Sequence, residues 1–309
     1  MTDFDLTRFR GVFPAAMTFF DAEGELDLAA TRRHWQWLID QEVDGLVIAG
    51  TSGEFISLSM EERQELFRLA VDVAGGRVPI VAGTGHAATK WTIETSQKAE
   101  AAGVDALIVI LPYYSRPPIS SVAEHYRTLR RHTALPIMLY NNPGNTACAG
   151  FSPQQVADLV EEGTVQMIKS TMESVIPIHE LSYLVGDRMG IFCGSFLAAY
   201  EALAAGAHGW VSGILNVAAP VARAMVRALA VEKDIDKAFA LWKRILPIVH
   251  LYTHQQLGPA MDIPIYRAIL EIWGLHGGFS RLPFSPLAPQ QKEELRRRLA
   301  AAGWLAPPT

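Results

Sequence analysis

Short, β-rich apolar runs recur along this chain at an interval near thirty residues, and that recurrence restricts the folds open to it. The runs occupy residues 11–17, 45–49, 79–82, 106–111, 136–140, 165–169, 189–193 and 207–212. Counted between their last residues, the spacings are 32, 33, 29, 29, 29, 24 and 19. A strand, a turn, a helix of about three turns and a return loop need that length. The runs are continuously apolar rather than alternating, as expected of strands covered on both faces. Eight such units predict a closed (β/α)8 TIM barrel. An open doubly wound sheet is the rival, but it has fewer strands and a glycine-rich first turn, and no G-x-G-x-x-G follows the first run.

Helix signals fall between the runs. Residues 27–41 are amphipathic, with Leu28, Trp35, Leu38 and Ile39 on one side. Ser59 stands three residues before Glu62, the spacing of a capping box. Gly103 is placed to stop a helix over 89–102. Ser152-Pro153 offers a cap and a first-turn proline to the next helix. After Ser212 the alternation stops, and residues 218–232, 234–255, 259–274 and 289–301 read as helices. The expected organisation is a barrel over 1–217 and a C-terminal helical region over 218–309.

Composition removes several classes of function. Half of the 309 residues are apolar and 19% are charged, which excludes intrinsic disorder. A net charge of −5 without a Lys/Arg block argues against nucleic acid as the main partner. No run reaches the roughly 18 apolar residues of a membrane-spanning helix. The polar, mixed-charge start MTDFDLTRFR has no signal-peptide order, so the cytosol is the expected compartment. Two cysteines, Cys148 and Cys193, make no disulfide scaffold and read as small core or loop residues. With neither H-x-H nor H-E-x-x-H, no metal-ligand set is visible, and no cofactor is expected.

In such a barrel the chemistry sits at the C-terminal ends of the strands. Lys169 ends the sixth run. An ammonium is costly to enclose, so a lysine carried into a closed barrel is expected to offer free amine, which attacks a ketone to form a Schiff base. Taken alone, such a lysine more often faces solvent or a carboxylate. Tyr140 ends the neighbouring run, about 4.8 Å away, where a phenol can move the protons that imine chemistry requires. Thr51 is a candidate to hold that phenol. The turn Gly50-Thr51-Ser52-Gly53 offers backbone N–H groups and hydroxyls that suit a carboxylate. Glu54 reads as a loop-holding residue, and His86 as a loop histidine.

Together these residues resemble the dihydrodipicolinate synthase / N-acetylneuraminate lyase family of class I, lysine Schiff-base aldolases. The matching pieces are GTSGE at 50–54, AGTG at 82–85, PYYSRP at 112–117, YNNPGNT at 140–146, IKS at 168–170, HGWVSGILNVAA at 208–219 and RLPFSPL at 281–287. The resemblance implies a pyruvate-type 2-oxo acid and an aldehyde as small-molecule partners, and a homo-oligomer built as a dimer of tight dimers. It implies catalytic roles for Lys169, Tyr140, Thr51 and Tyr114, with Tyr114 entering the partner subunit's site. It implies substrate contacts from Thr51, Ser52, Val211, Gly194 and Asn145.

The sequence departs from true dihydrodipicolinate synthases at Asn145, where the resemblance leads one to expect an arginine that holds the aldehyde's carboxylate. Asparagine does not replace a bidentate cation. After the seventh run stands Cys193-Gly194-Ser195-Phe196 instead of SGDD. The first half-reaction is therefore expected to be intact and the second substrate changed. Positions of the lysine-feedback cleft hold Phe55, Met60, Arg63, Ala87 and Trp91, so no lysine inhibition is expected. Arg116 is an alternative source of positive charge, or a subunit contact. The leading expectation is a Schiff-base lyase or aldolase whose second substrate is not aspartate semialdehyde. Three alternatives stand beside it: a genuine 4-hydroxy-tetrahydrodipicolinate synthase, a 2-keto-3-deoxy acid aldolase or dehydratase, and a non-catalytic carboxylate-binding barrel.

Overall fold

The computed structural model describes residues 5–172 and 174–308. Eight parallel strands form the sheet: β1 (Gly11–Pro14), β2 (Leu46–Ile48), β3 (Ile80–Gly83), β4 (Ala106–Ile110), β5 (Ile137–Asn141), β6 (Met167–Ser170), β7 (Gly190–Cys193) and β8 (Gly209–Ser212). Each pairs with its sequence neighbour from β2 to β8, and β8 returns to β1. The ring closes between β1 and β2 through the Ala15–Val47 bridge, where Ala16 N donates to Val47 O at 2.8 Å. This is a (β/α)8 TIM barrel.

Pleat parity divides the core in two. Phe13, Val47, Val81, Ile108, Met138, Met167, Phe192 and Val211 turn inward and fill the barrel. Val12, Leu46, Ile80, Leu107, Leu139, Ile168, Ile191 and Trp210 turn outward beneath the helices. Phe13 and Phe192 meet edge to face at 5.2 Å. Gly45 and Gly209 leave room for those rings, since a Cβ at either glycine would overlap them.

The covering helices are α1 (Leu28–Asp40), α2 (Met60–Ala74), α3 (Thr89–Ala102), α4 (Ile119–Arg130), α5 (Pro153–Glu161), α6 (Ile176–Val185), α7 (Ala199–Ala204) and α8 (Leu215–Arg227). Their ends follow local chemistry. The Ser59–Glu62 capping box starts α2, and a Ser152–Gln155 box with Pro153 starts α5. Gly103, at φ 89°, ends α3 in a left-handed conformation that glycine adopts at no steric cost.

Beyond the barrel lie α9 (Ile235–Thr253), α10 (Asp262–Ile272) and α11 (Pro289–Ala302). Aromatic contacts tie them down: Trp242 of α9 meets Trp210 of β8 edge to face at 6.0 Å, and Trp304 stacks on Trp273 at 6.4 Å. Among the described residues no helix is long and apolar enough to cross a membrane. Both cysteines are buried and free, and burial pushes the Cys193 thiol up to about 12.

Candidate active site

Strand register brings the candidate pair together. Tyr140 lies opposite Lys169 in the β5–β6 ladder, and both side chains turn into the barrel. Lys169 is only 6% exposed, and its Nζ stands 4.1 Å from the centre of the Tyr140 ring. The two residues line one cavity with Thr51, Gly50, Gly83, Gly85, Phe55 and Ile110. It opens at the C-terminal ends of the strands, where barrel chemistry is expected.

Burial alone would push the Tyr140 phenol up. The Lys169 charge beside it, with hydrogen-bonding groups of Thr171, Lys169 and Thr51, outweighs burial and holds it below the usual tyrosine value. Asn142 adds a donor, its Nδ2 lying 2.9 Å from the Tyr140 oxygen. The Thr171 hydroxyl is enclosed next to this group without a hydrogen bond of normal geometry.

The turn after β2 is held rigidly. Glu54 N donates to Thr51 O at 3.0 Å and closes it. Ser52 is buried, and its hydroxyl lies so close to Gly213 that a Cβ there would overlap it. Behind the turn, the Glu54 carboxylate accepts from Arg267 Nη2 of α10 at 2.8 Å and from Arg281 N at 3.1 Å. Arg267 also donates to Thr18 O, Gly277 O and Ser280 Oγ. Glu54 is thus a strut between the turn and the C-terminal helices, as expected of a loop-holding residue. His86 belongs to its own loop, where its Nδ1 accepts from Ala88 N at 3.0 Å.

The remaining candidates are dispersed. Gly194 touches the lysine: a Cβ there would overlap Thr171 Oγ1 and stand 2.8 Å from Lys169 Cε. Val211 is buried inside the barrel beside Phe13. Asn145 is exposed on the turn after β5, its N–H donating to Asn142 O at 3.2 Å. Tyr114 is 97% exposed, at φ 76°, and is not among the residues that line its own chain's cavity.

Four groups near the site are given no role by the motifs, although Asn142 falls inside YNNPGNT. Asn142 lies on the Tyr140 face of β5 continued, a placement that i, i+2 parity contains. Thr171 comes directly after β6. Arg267 and Asp262 come from α10, far away in sequence. Burial pushes the Asp262 carboxyl up to about 6, although the N–H groups of its helix and the Lys169 charge pull it down.

A model of the dihydrodipicolinate synthetase family matches residues 8–302. The chain belongs to that family. It is 36% identical over 295 residues to the 4-hydroxy-tetrahydrodipicolinate synthase of Desulforudis audaxviator, with 95% of this chain and 98% of that protein covered. The chloride-inhibited dihydrodipicolinate synthase of Acinetobacter baumannii, solved with pyruvate, superposes with a TM-score of 0.86 at 32% identity, covering 95% of this chain and 99% of that one. A monomeric dihydrodipicolinate synthase variant superposes at 0.88 with 26% identity, over 97% and 98% of the two chains. Membership makes the chain an enzyme of the pyruvate lyase type that works through a lysine Schiff base, on a TIM barrel.

Proposed function

We propose that Lys169 forms a Schiff base with pyruvate or a pyruvyl substrate, and that the second substrate is an aldehyde other than aspartate semialdehyde. The observation that carries this reading is the Lys169 amine held 4.1 Å from the Tyr140 ring inside the closed barrel. The amine adds to the keto carbon, and the oxygen takes up a proton. Loss of that oxygen as water leaves an iminium. The iminium draws electrons from the adjacent carbon, which gives up a proton to form an enamine that adds to the aldehyde. Water then releases the product and restores the amine. Tyr140, with Thr51 turned toward it, carries the protons among these steps. Ser52 and the N–H groups of the turn after β2 receive the substrate carboxylate, Thr51 adding its hydroxyl. Gly194 leaves the space in which the imine forms, and the backbone carbonyl of Val211 faces the site.

Tyr114 completes the site of a second copy in this reading. A tyrosine at positive φ and almost wholly exposed is a costly arrangement for a free surface, and a partner's cavity supplies a reason for it. The assembly is then a dimer of tight dimers, set in the cytosol.

Asn145 carries the claim about the second substrate. An uncharged amide on an exposed turn replaces a cation, and a charged clamp is worth roughly 3 kcal/mol. Turnover of pyruvate with aspartate semialdehyde is accordingly expected about 100-fold below a competent synthase. Near-normal turnover refutes that part of the proposal. Borohydride reduction in the presence of pyruvate tests the first part: a pyruvate-derived mass on Lys169 supports it, and an unmodified lysine at millimolar pyruvate favours a carboxylate-binding barrel.

A further inference from the structure

Asn142 stands two residues past Tyr140, so the pleat returns its side chain to the barrel interior above the phenol. It is 1% exposed, and its Nδ2 donates to the Tyr140 oxygen at 2.9 Å. Its carbonyl accepts from Asn145 N and from Thr146 Oγ1 at 3.0 Å, so the turn it opens fixes it in place. A phenol oxygen has one proton to give and two lone pairs to receive. An amide nitrogen only donates. With Asn142 occupying one lone pair, one remains for the other hydrogen-bonding groups at the phenol, Thr171, Lys169 and Thr51.

We propose that Asn142 is a positioning residue for the Schiff-base chemistry, its amide holding the Tyr140 oxygen as the proton acceptor that faces Lys169. The inference rests on the imine reading above. Such a donor favours phenolate over phenol, which eases removal of a proton from the lysine and from the carbinolamine. Lys169 of β6 brings the charge beside the phenol, Thr51 and Thr171 bring hydroxyls, and β4 presents Ile110. Asp262 of α10 feels the Lys169 charge.

The test is an ultraviolet difference titration of the Tyr140 phenol, isolated by subtracting the Tyr140→Phe protein. Burial pushes the phenols of Tyr126 and Tyr266 far up, which separates them from it. Asn142→Leu and Asn142→Ala, which remove the donor without adding charge, are each expected to raise the Tyr140 midpoint by about one pH unit, the size of one net hydrogen bond. The acid limb of kcat for pyruvate imine formation should move with it, while KM for pyruvate stays within about threefold. A merely structural asparagine would lower both parameters without moving the midpoint. Asn142→Ala adds neither bulk nor charge and keeps the test available if the leucine variant fails to fold. A midpoint that moves less than about 0.3 unit, or moves downward, overturns the proposal; a downward shift would mean that the amide oxygen accepts the phenol proton instead. Wild type that forms no borohydride adduct refutes the imine reading on separate grounds, whatever the midpoints do.

Discussion

Gly194→Ala tests how tightly the Lys169 amine, the proposed nucleophile, is held. The backbone of Gly194 is not in the left-handed region, so alanine meets no conformational penalty and the cost is one of space. Its Cβ would overlap Thr171 Oγ1 and stand 2.8 Å from Lys169 Cε and 3.0 Å from Cγ. Carbon atoms rest about 3.5–4.0 Å apart, so the lysine must retreat by roughly 1 Å. Overpacking on this scale costs about 1–3 kcal/mol of stability. A displacement of about 1 Å at a reacting group costs about 100-fold in rate. The assay is the rate of borohydride trapping of pyruvate on Lys169 followed by mass spectrometry, with urea unfolding alongside. The Gly194→Ala protein should fold and trap about 100-fold more slowly. Adding Thr171→Ala removes one overlap but not the contact with the lysine, so stability should recover while the rate stays low. Trapping by Gly194→Ala within about threefold of wild type refutes the reasoning, because the amine would then have space the geometry denies it.

Three further outcomes are expected. Arg267→Ala strands the buried Glu54 carboxylate without its cation and should cost about 3–5 kcal/mol in urea unfolding, where a loss under about 1 kcal/mol contradicts the strut. Burial pushes His34 and His125 down to about 4 in the folded state, so the unfolded chain takes up their protons first. Stability should then be full above about pH 6.5 and fall by roughly 3 kcal/mol per histidine toward about pH 4, with His125→Leu flattening the curve. Lysine should neither inhibit nor bind at micromolar levels in isothermal titration, because Arg63 fills its cleft position with a guanidinium set against Phe55 O at 2.8 Å.

The barrel was legible because each strand had to be apolar on both faces, so the eight runs stand out without any tertiary information. Their edges were less clear, for reasons of geometry. The run at 11–17 continues apolar past Pro14 because Ala15, Ala16 and Met17 stay buried after the ladder ends. The run at 165–169 begins early because Val165 is core without being strand. Helix starts are plain where a side chain caps them, as at Ser59 and Ser152. The stretch 218–232 was harder. Its helix begins at Leu215 without a side-chain cap and ends in a π-helical turn over Ala228–Glu232, and neither leaves a mark in the sequence.

Lys169, Tyr140 and Thr51 were legible because each lies in the last residues of a strand or in the turn after one, so position along the chain implies position in space. Tyr114 obeys the same rule of placement yet faces outward, since a loop after a strand can turn either way. Arg267 and Asp262 had no such index: they reach the barrel mouth only because α10 folds back over it, across more than two hundred residues from Glu54. Asn142 is the instructive case. Its partner is two residues away, and the alternation of a strand already places both side chains on one face. Motif reading passes over it because the motif draws attention to the tyrosine and treats the next polar residues as turn. Tracing the pleat one step beyond the last strand residue finds the group that touches the phenol, and in the proposed mechanism that phenol carries the lysine's protons.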